Sequence, residues 1–296
     1  MGILKVAHAD LAVADVEEAV GFHTDLLGLV EIGRADGAVF LGCGADNNYD
    51  LALVQGGGGV RHFALQVESE DDLVYYGKRL AELGVTTETR GDAAPGQLRG
   101  LRFQAPDGHS IELVVSRDQP VYLHPGNPTH TRHKGVVPLD ADHITLRSSD
   151  VRGLVEFLVA GLDFKISDVF EPAPGTWAAA WARVGEYHHD VAVMGAQRSS
   201  ETLDHFAWTM DGIDHLKRAA DMLSQLEVPL ETGPGRHGVG GNLYAYFWAP
   251  GGNRYELSAE MPRTVSPTAG PNFWNDFRAA FSAWGALPPE SFQVGS

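Results

Sequence analysis

The sequence predicts an α+β protein of two tandem domains, each built from two paired strand–helix–three-strand modules that form a half-barrel around a central cavity. Three observations support this prediction. The length of 296 residues suits two domains of ordinary size. The chain repeats itself once, and its strand-like segments are short and bounded by glycine or polar residues. Apolar residues make up 44% of the chain, which is enough for a complete core.

The repeat begins with a strand-like segment and a helix in each half. His8 and His143 each lie in such a segment, and seven residues later Asp15 and Asp150 are placed to cap the helix that follows. Amphipathic patterns predict two helices in each half, over 16–27, 71–83, 151–162 and 214–226.

Two further pairs of segments match across the halves. His62 lies in a segment that matches the one around His205, and Glu112 ends a segment that matches the one ending at Glu256. The matched positions His8 and His143 are 135 residues apart, and the other two pairs are 143 and 144 apart. One duplication with a few insertions explains this drift. The predicted domains are residues 1–117 and 139–262.

The remaining residues are predicted to form a linker and a tail. The linker spans 118–138 and is rich in proline, histidine and threonine. The tail spans 263–296, and its aromatic residues at helical spacing predict a terminal helix that packs on the body or on a neighbouring subunit: Phe273, Phe277, Phe281 and Trp284.

Charge and composition exclude several classes of partner. A formal net charge of −17 disfavours nucleic acid and anionic membranes, because both would repel the chain. No apolar run approaches the roughly 20 residues that span a bilayer, and the first residues lack the apolar core of a signal peptide. A cytoplasmic protein that acts on a small molecule or a protein is therefore expected. The single cysteine, Cys43, excludes an intramolecular disulfide and a thiolate metal cluster.

Three residues of the second half have the composition of an oxygen-activating metal site. Non-haem Fe(II) is commonly held by two histidines and one carboxylate on one face, with the opposite face left open. His143 and His205 occupy equivalent places in successive modules, and Glu256 lies on a closing strand. If the modules curl into a half-barrel, the three side chains point into one cavity.

The residues around Glu256 carry a family resemblance. Gly233-Pro234-Gly235-Arg236-His237-Gly238, then Tyr246, then Gly252-Asn253-Arg254-Tyr255-Glu256 resembles the signature of type I extradiol catechol dioxygenases of the vicinal oxygen chelate superfamily. In that family a catalytic histidine lies nineteen residues before the metal-binding glutamate and a catalytic tyrosine ten before it, as His237 and Tyr246 do here. A family motif, His-Asp-Val-Ala, matches His189-Asp190-Val191-Ala192.

The resemblance implies an enzyme that holds Fe(II) through His143, His205 and Glu256 in a catalytic second domain. Mn(II) suits the same ligands. Such enzymes use O2 as co-substrate, open a catechol ring next to its diol to give a 2-hydroxymuconic-semialdehyde-type product, and are usually homo-oligomers. The first domain is then non-catalytic.

The resemblance also implies roles for three other residues. His189 would take a proton from the substrate and later return one. His237 and Tyr246 would hydrogen-bond the substrate oxygens and the charge that develops on them. His188 adjoins His189, and neighbours on one strand face opposite sides, so only one of them is expected to enter the cavity.

Substrate preference is indicated by fewer residues. Trp181, with Trp177, either walls a ring-binding pocket or packs in the core. Val239 stands where some family members carry asparagine, and Thr232 stands where others carry an arginine that accompanies acidic substrates. Both departures predict an apolar or neutral ring substituent.

The first half keeps a matching set of His8, His62 and Glu112 but lacks the proton-handling groups. The positions that correspond to His189, His237 and Tyr246 hold other residues: Tyr49, Ala93 and Arg102. A vestige of duplication, with buried polar groups satisfying one another, is favoured over a metal site without chemistry.

Other functions and other motifs compete with this interpretation. A glyoxalase-like isomerase or lyase, a 4-hydroxyphenylpyruvate dioxygenase type and a non-catalytic ligand-binding protein share the fold, but none needs this whole residue set. The glycine pattern at 233–238 leads into a strand, whereas a dinucleotide site needs a helix there. A cluster in the linker is interpreted as a solvated segment: His124, His130 and His133.

Overall fold

The computed structural model describes residues 2–91, 94–117, 134–266 and 268–296. These form two compact units, one of residues 1–141 with 249–252, the other of residues 142–248 with 253–296. The predicted domain limits at 117, 139 and 262 stay a prediction. Most of the predicted linker 118–138, including its three histidines, lies outside the described residues.

The first unit contains one eight-stranded sheet in the order β2-β3-β4-β1-β5-β8-β7-β6. Its central strands β1 and β5 are antiparallel, and each is parallel to the last strand of its own module. The strands and helices are β1 Ile3–Val13, α1 Val16–Phe22, β2 Val30–Ala35, β3 Ala38–Gly42, β4 Leu51–Gln55, β5 Val60–Val67, α2 Glu70–Glu82, β6 Thr87–Arg90, β7 Gln97–Gln104 and β8 Ser110–Ser116.

The second unit repeats this arrangement and adds one edge strand, in the order β14-β15-β16-β13-β9-β12-β11-β10-β17. Each module again consists of a strand, a helix and three strands, as predicted. The elements are β9 Ala141–Ser148, α3 Val151–Leu162, β10 Lys165–Phe170, β11 Ala179–Arg183, β12 Val191–Gly195, β13 Leu203–Met210, α4 Ile213–Gln225, β14 Leu230–Arg236, β15 Leu243–Ala249, β16 Asn253–Ala259, β17 Asn272–Trp274 and α5 Phe277–Phe281.

The predicted helix caps are present in both units. Asp15 Oδ1 accepts a hydrogen bond from the backbone N–H of Glu18 at 3.0 Å, and Asp150 Oδ1 accepts one from Gly153 at 2.9 Å. Helix α3 buries an apolar stripe against the sheet: Leu154, Val155, Leu158 and Leu162. No helix in the described parts of the chain is long and apolar enough to cross a membrane.

The single helix predicted from the tail aromatics is wrong in extent. Phe273 lies in the edge strand β17, where the backbone hydrogen-bonds with β10 instead of turning into a helix. Asp276 then caps α5, which has only five residues. Trp284 follows α5 and is about half exposed. Phe281 does pack inward, with its ring 6.0 Å from that of Trp181.

Candidate metal centre

Three neighbouring strands of the second unit bring the predicted ligands together. His143 is the third residue of β9, His205 is the third of β13 and Glu256 is the fourth of β16. The two histidine Nε2 atoms are 3.3 Å apart, and they lie 3.2 and 3.1 Å from Glu256 Oε2. All three residues are at least 95% buried. The sheet therefore converges three donor atoms on one point.

The separations of these atoms fit a divalent ion. Metal–ligand bonds of about 2.1 Å at right angles place neighbouring ligand atoms about 3.0 Å apart. The observed separations of 3.1, 3.2 and 3.3 Å are close to that value. Two imidazoles and one carboxylate are also the donor types that Fe(II) and Mn(II) accept.

The electrostatics of the cluster favour a cation. Burial lowers the pKa of His143, but the Glu256 and Asp142 carboxylates outweigh it and raise that pKa to about 10. Burial opposes ionisation of Glu256, yet His143 and His205 hold the pKa of this carboxyl well below its usual range. The cluster thus keeps a buried negative charge beside nitrogen donors. A metal ion would replace the proton of His143.

An aspartate directly precedes and orients each histidine. Asp142 Oδ1 and Asp204 Oδ1 each lie 2.6 Å from Nδ1 of the histidine that follows, so Nδ1 donates and Nε2 faces the cluster. Burial alone would raise the pKa of Asp204, but His205 and two buried arginines lower it to about 2. The Asp-His dipeptides are visible in the sequence, and their positioning role was not predicted from it.

Tyr246 and His237 lie beside the carboxylate. The Tyr246 hydroxyl donates to Glu256 Oε2 at 2.8 Å. His237 Nδ1 lies 3.2 Å from the Phe281 carbonyl oxygen, to which it donates, and its Nε2 lies 3.0 Å from the Tyr246 hydroxyl oxygen. Burial lowers the pKa of His237, and burial together with Glu256 raises that of Tyr246 well above its usual range. Asn242 donates to the other oxygen of Glu256 at 3.1 Å.

The two adjacent histidines do not lie on a strand, so the strand-based reason for expecting only one of them in the cavity is wrong. Both precede β12 in irregular backbone. His189 lines the cavity, with its ring 4.2 Å from that of His143. His188 does not line it. Its Nε2 lies 2.7 Å from Asp168 Oδ2, and its Nδ1 lies 3.0 Å from Nδ1 of His189.

A cavity opens in front of the three donor atoms. Trp181 and Val239 line it, whereas Trp177 does not; its ring contacts Phe273. A role of Trp181 and Val239 in substrate binding stays a prediction. None of the described lining residues is a lysine or an arginine. Six lining residues were not predicted: Thr145, Met194, Asn242, Ala280, Phe281 and Phe292.

The C-terminal segment is held in place by buried arginines. Arg254 is fully buried, donates to the carbonyls of Ser291 and Val294, and lies 4.2 Å from the Phe292 ring centroid. Arg147 donates to the carbonyl of Phe292. These contacts position the Phe292 side chain at the cavity, although nothing in the local sequence around Phe292 indicates this.

The first unit carries a similar cluster, in which an arginine of the same chain contacts the donor atoms. His8, His62 and Glu112 lie on β1, β5 and β8, which are also neighbours in their sheet. Arg102 Nη2 lies 2.6 Å from Glu112 Oε2 and 2.9 Å from His62 Nε2. Burial and then Arg102 lower the pKa of His62 to about 3. Tyr49 packs on His8, with ring centroids 4.0 Å apart. Ala93 lies outside the described residues.

Comparison with known proteins gives the family. The model of the Glyoxalase/Bleomycin resistance protein/Dioxygenase superfamily matches residues 5–113 and 140–257, and the chain belongs to this superfamily. It is 26% identical over 286 residues to the manganese-dependent 2,3-dihydroxybiphenyl 1,2-dioxygenase of Geobacillus genomosp. 3, covering 93% of this chain and 90% of the relative. It is 27% identical to the metapyrocatechase of Pseudomonas sp. (strain CF600), covering 86% of both chains.

A solved structure agrees with these relatives. The 2,3-dioxygenase LapB from Pseudomonas sp. KL28 matches with a TM-score of 0.83 and 25% identity, over 93% of this chain and 98% of that one. The predicted superfamily, two-domain α+β fold and extradiol dioxygenase class are confirmed, and the glyoxalase-like and binding-protein alternatives are disfavoured. The roles of individual residues and the homo-oligomeric assembly stay predictions.

Proposed function

We propose that the second unit binds a divalent ion through His143, His205 and Glu256 and opens the ring of a neutral or apolar-substituted catechol next to its diol, with O2 as co-substrate. One observation carries the proposal: three donor atoms, 3.1 to 3.3 Å apart, meet at the base of a buried cavity that also holds His189 and Tyr246. The product would be a 2-hydroxymuconic-semialdehyde-type compound.

The ion is Fe(II) or Mn(II), because both accept this donor set and a relative is named as manganese-dependent. Bound there, it would supply the Lewis acidity and the one-electron chemistry that oxygen activation requires. The chain's contribution is to present both Nε2 atoms and a carboxylate that is already ionised. Asp142 and Asp204 fix the imidazole orientations before the ion arrives.

His189 is the proposed proton acceptor, and His188 sets its tautomer. When His188 donates from Nε2 to Asp168, its Nδ1 carries a lone pair and accepts a hydrogen bond from Nδ1–H of His189. The basic lone pair of His189 is then on Nε2. From the cavity wall, this nitrogen can take the proton of a catechol hydroxyl and later return one to the oxygen that leaves.

Tyr246 and His237 are proposed to stabilise negative charge on the substrate. Tyr246 donates to Glu256, and His237 reaches the same hydroxyl oxygen. With Glu256 Oε2 engaged by an ion, the Tyr246 hydroxyl could turn its one proton to a substrate oxygen close by, and a protonated His237 could donate to the same oxygen from Nε2. Burial strengthens such bonds, because water does not compete for them.

The cavity wall supports the proposed substrate class. Six of its lining residues are apolar: Trp181, Met194, Val239, Ala280, Phe281 and Phe292. A carboxylate on the substrate ring would lose its hydration there, and the lining residues that the structure describes include no lysine or arginine to pair with it. An alkyl or aryl substituent would instead remove apolar surface from water.

A catechol panel tests the proposal. Metal-free protein is loaded anaerobically with Fe(II) or Mn(II), mixed with air-saturated substrate, and followed by O2 uptake and by yellow product. We expect one O2 consumed per catechol, with higher kcat/KM for alkyl- and aryl-catechols than for carboxylated ones. No O2 uptake with any catechol and either metal would refute ring cleavage. Preference for the acidic members would refute only the substrate class.

A further inference from the structure

The first-unit cluster reproduces the ring geometry of the second. The His8 and His62 rings are 5.6 Å apart at an interplanar angle of 88°, and the His143 and His205 rings are 5.5 Å apart at 82°. The ligand atoms of His8, His62 and Glu112 all lie within 4.8 Å of one another, and all three residues are buried. The backbone thus presents the same donor set twice.

Arg102 lies against this donor set. Its guanidinium donates to Glu112 Oε2 twice, through Nη2 at 2.6 Å and Nε at 3.2 Å, and Nη2 also donates to His62 Nε2 at 2.9 Å. It therefore contacts two of the atoms that a metal ion would contact. Tyr246 occupies the corresponding place in the other unit, ten residues before Glu256, and donates to that carboxylate without adding a positive charge.

We infer that His8, His62 and Glu112 form a latent divalent-metal site, closed in this chain because the Arg102 guanidinium occupies the place of the ion. Its hydrogen bond from Nη2 makes His62 Nε2 an acceptor, so the lone pair that an ion needs is already directed at a cation. The site would take a cation that suits two imidazoles and a carboxylate, such as Mn(II), Fe(II) or Zn(II).

Glu112 shows why the site would accept an ion once the guanidinium is gone. It is 1% exposed, and its Oε1 atom accepts no hydrogen bond from any described residue. Gly100 leaves room for this oxygen, because a Cβ there would come within 2.2 Å of it. Without Arg102, a buried carboxylate would have no cationic partner, which is costly unless a cation enters.

Few groups block the path of an ion to the cluster or compete with the ion for the ligand atoms. The Arg102 side chain is 28% exposed, so its removal opens a path from solvent to the cluster. Gln97 Nε2 also lies 3.4 Å from His8 Nε2. That contact is long and uncharged, so an ion can displace it.

Metal stoichiometry tests the inference. Wild type, Arg102→Gln and Arg102→Tyr are dialysed against Mn(II) alone, and bound metal per chain is measured by elemental analysis. Each variant is expected to bind one more ion per chain than wild type under the same conditions. The increment does not depend on ring cleavage or on how many ions the second unit binds. Far-ultraviolet circular dichroism and thermal unfolding identify variants that have lost the fold.

Two controls complete the experiment. Arg99→Gln removes an exposed arginine of the same strand and should bind as many ions as wild type. Adding His62→Ala to Arg102→Gln should remove the additional ion. If folded Arg102→Gln and Arg102→Tyr both bind only the wild-type number, the inference is wrong. It is also wrong if the wild-type number itself falls by one in His62→Ala alone, because the native site would then be open.

Discussion

The two units differ less in their donor atoms than in what surrounds them. Each carries two histidines and a glutamate on three neighbouring strands, with almost the same ring arrangement. In the second unit the carboxylate faces Tyr246, and the rings are held by Asp142 and Asp204. In the first unit Arg102 contacts the carboxylate in place of the tyrosine. Tyr49, which matches His189, packs on His8.

The comparison shows two ways to compensate one buried carboxylate. A permanent guanidinium satisfies the first-unit cluster but fills the position that a ligand would need. In the second unit Tyr246 adds no positive charge, and the donor atoms stay open to the cavity. Donor geometry alone therefore does not define the active unit. The residue ten positions before the glutamate distinguishes the two units. It is the cationic Arg102 in the first and the neutral Tyr246 in the second.

The largest expected difference concerns the matched residues His189 and Tyr49. His189→Gln should lower kcat by roughly 10²- to 10⁴-fold, the usual contribution of general acid–base catalysis, while bound metal stays at the wild-type level. Tyr49→Phe should leave kcat unchanged. Steady-state O2 uptake and metal analysis on the same preparations check both. Metal loss in His189→Gln would identify it as a ligand and contradict its role in proton transfer.

A smaller effect is expected at the aspartate that orients His143. Asp142→Asn keeps the shape and the acceptor oxygen but removes the charge, so metal affinity or activity should fall about 10- to 100-fold. Asp10→Asn is the first-unit control, because Asp10 Oδ2 lies 3.3 Å from Nδ1 of the first-unit histidine His62, and it should change neither. Competition with a chelator of known affinity measures the difference. Equal losses in both variants would contradict the assignment.

The smallest expected effect is on stability and depends on pH. Burial raises the pKa of Asp10 to about 7, so the folded chain keeps this proton while the unfolded chain loses it near pH 4. Stability contributed at this position therefore falls as pH rises from about 4 to 7. Asp10→Asn should thus raise the free energy of unfolding more at pH 8 than at pH 5. Urea unfolding at both pH values measures this gain. A gain that is equal at the two pH values, or larger at pH 5, would contradict the prediction.

Much of the fold and of the proposed site could be predicted from the sequence, because duplication and spacing encode them directly. The caps Asp15 and Asp150 and the triad of His143, His205 and Glu256 all follow from short, regular patterns. These sequence patterns predict spatial neighbours because the strand order places matched residues of successive modules side by side.

Other features depend on contacts between residues distant in sequence. The Phe273 segment pairs with β10, and a period of aromatic residues cannot reveal that an edge strand is available. Phe292 reaches the cavity because Arg147 and Arg254 hold the backbone around it, through contacts that span 145 and 37 residues. His188 bonds Asp168 rather than lying on a strand, which only the folded backbone shows.

The most direct test compares Glu256→Gln with Glu112→Gln under anaerobic Fe(II) loading, followed by O2 uptake with an alkylcatechol. Each variant removes one buried carboxylate charge from one cluster and changes the side-chain shape little. The proposal that the second unit alone cleaves the ring predicts no detectable uptake for Glu256→Gln and wild-type uptake for Glu112→Gln. Wild-type uptake by Glu256→Gln, or its loss in a folded Glu112→Gln protein, would contradict it.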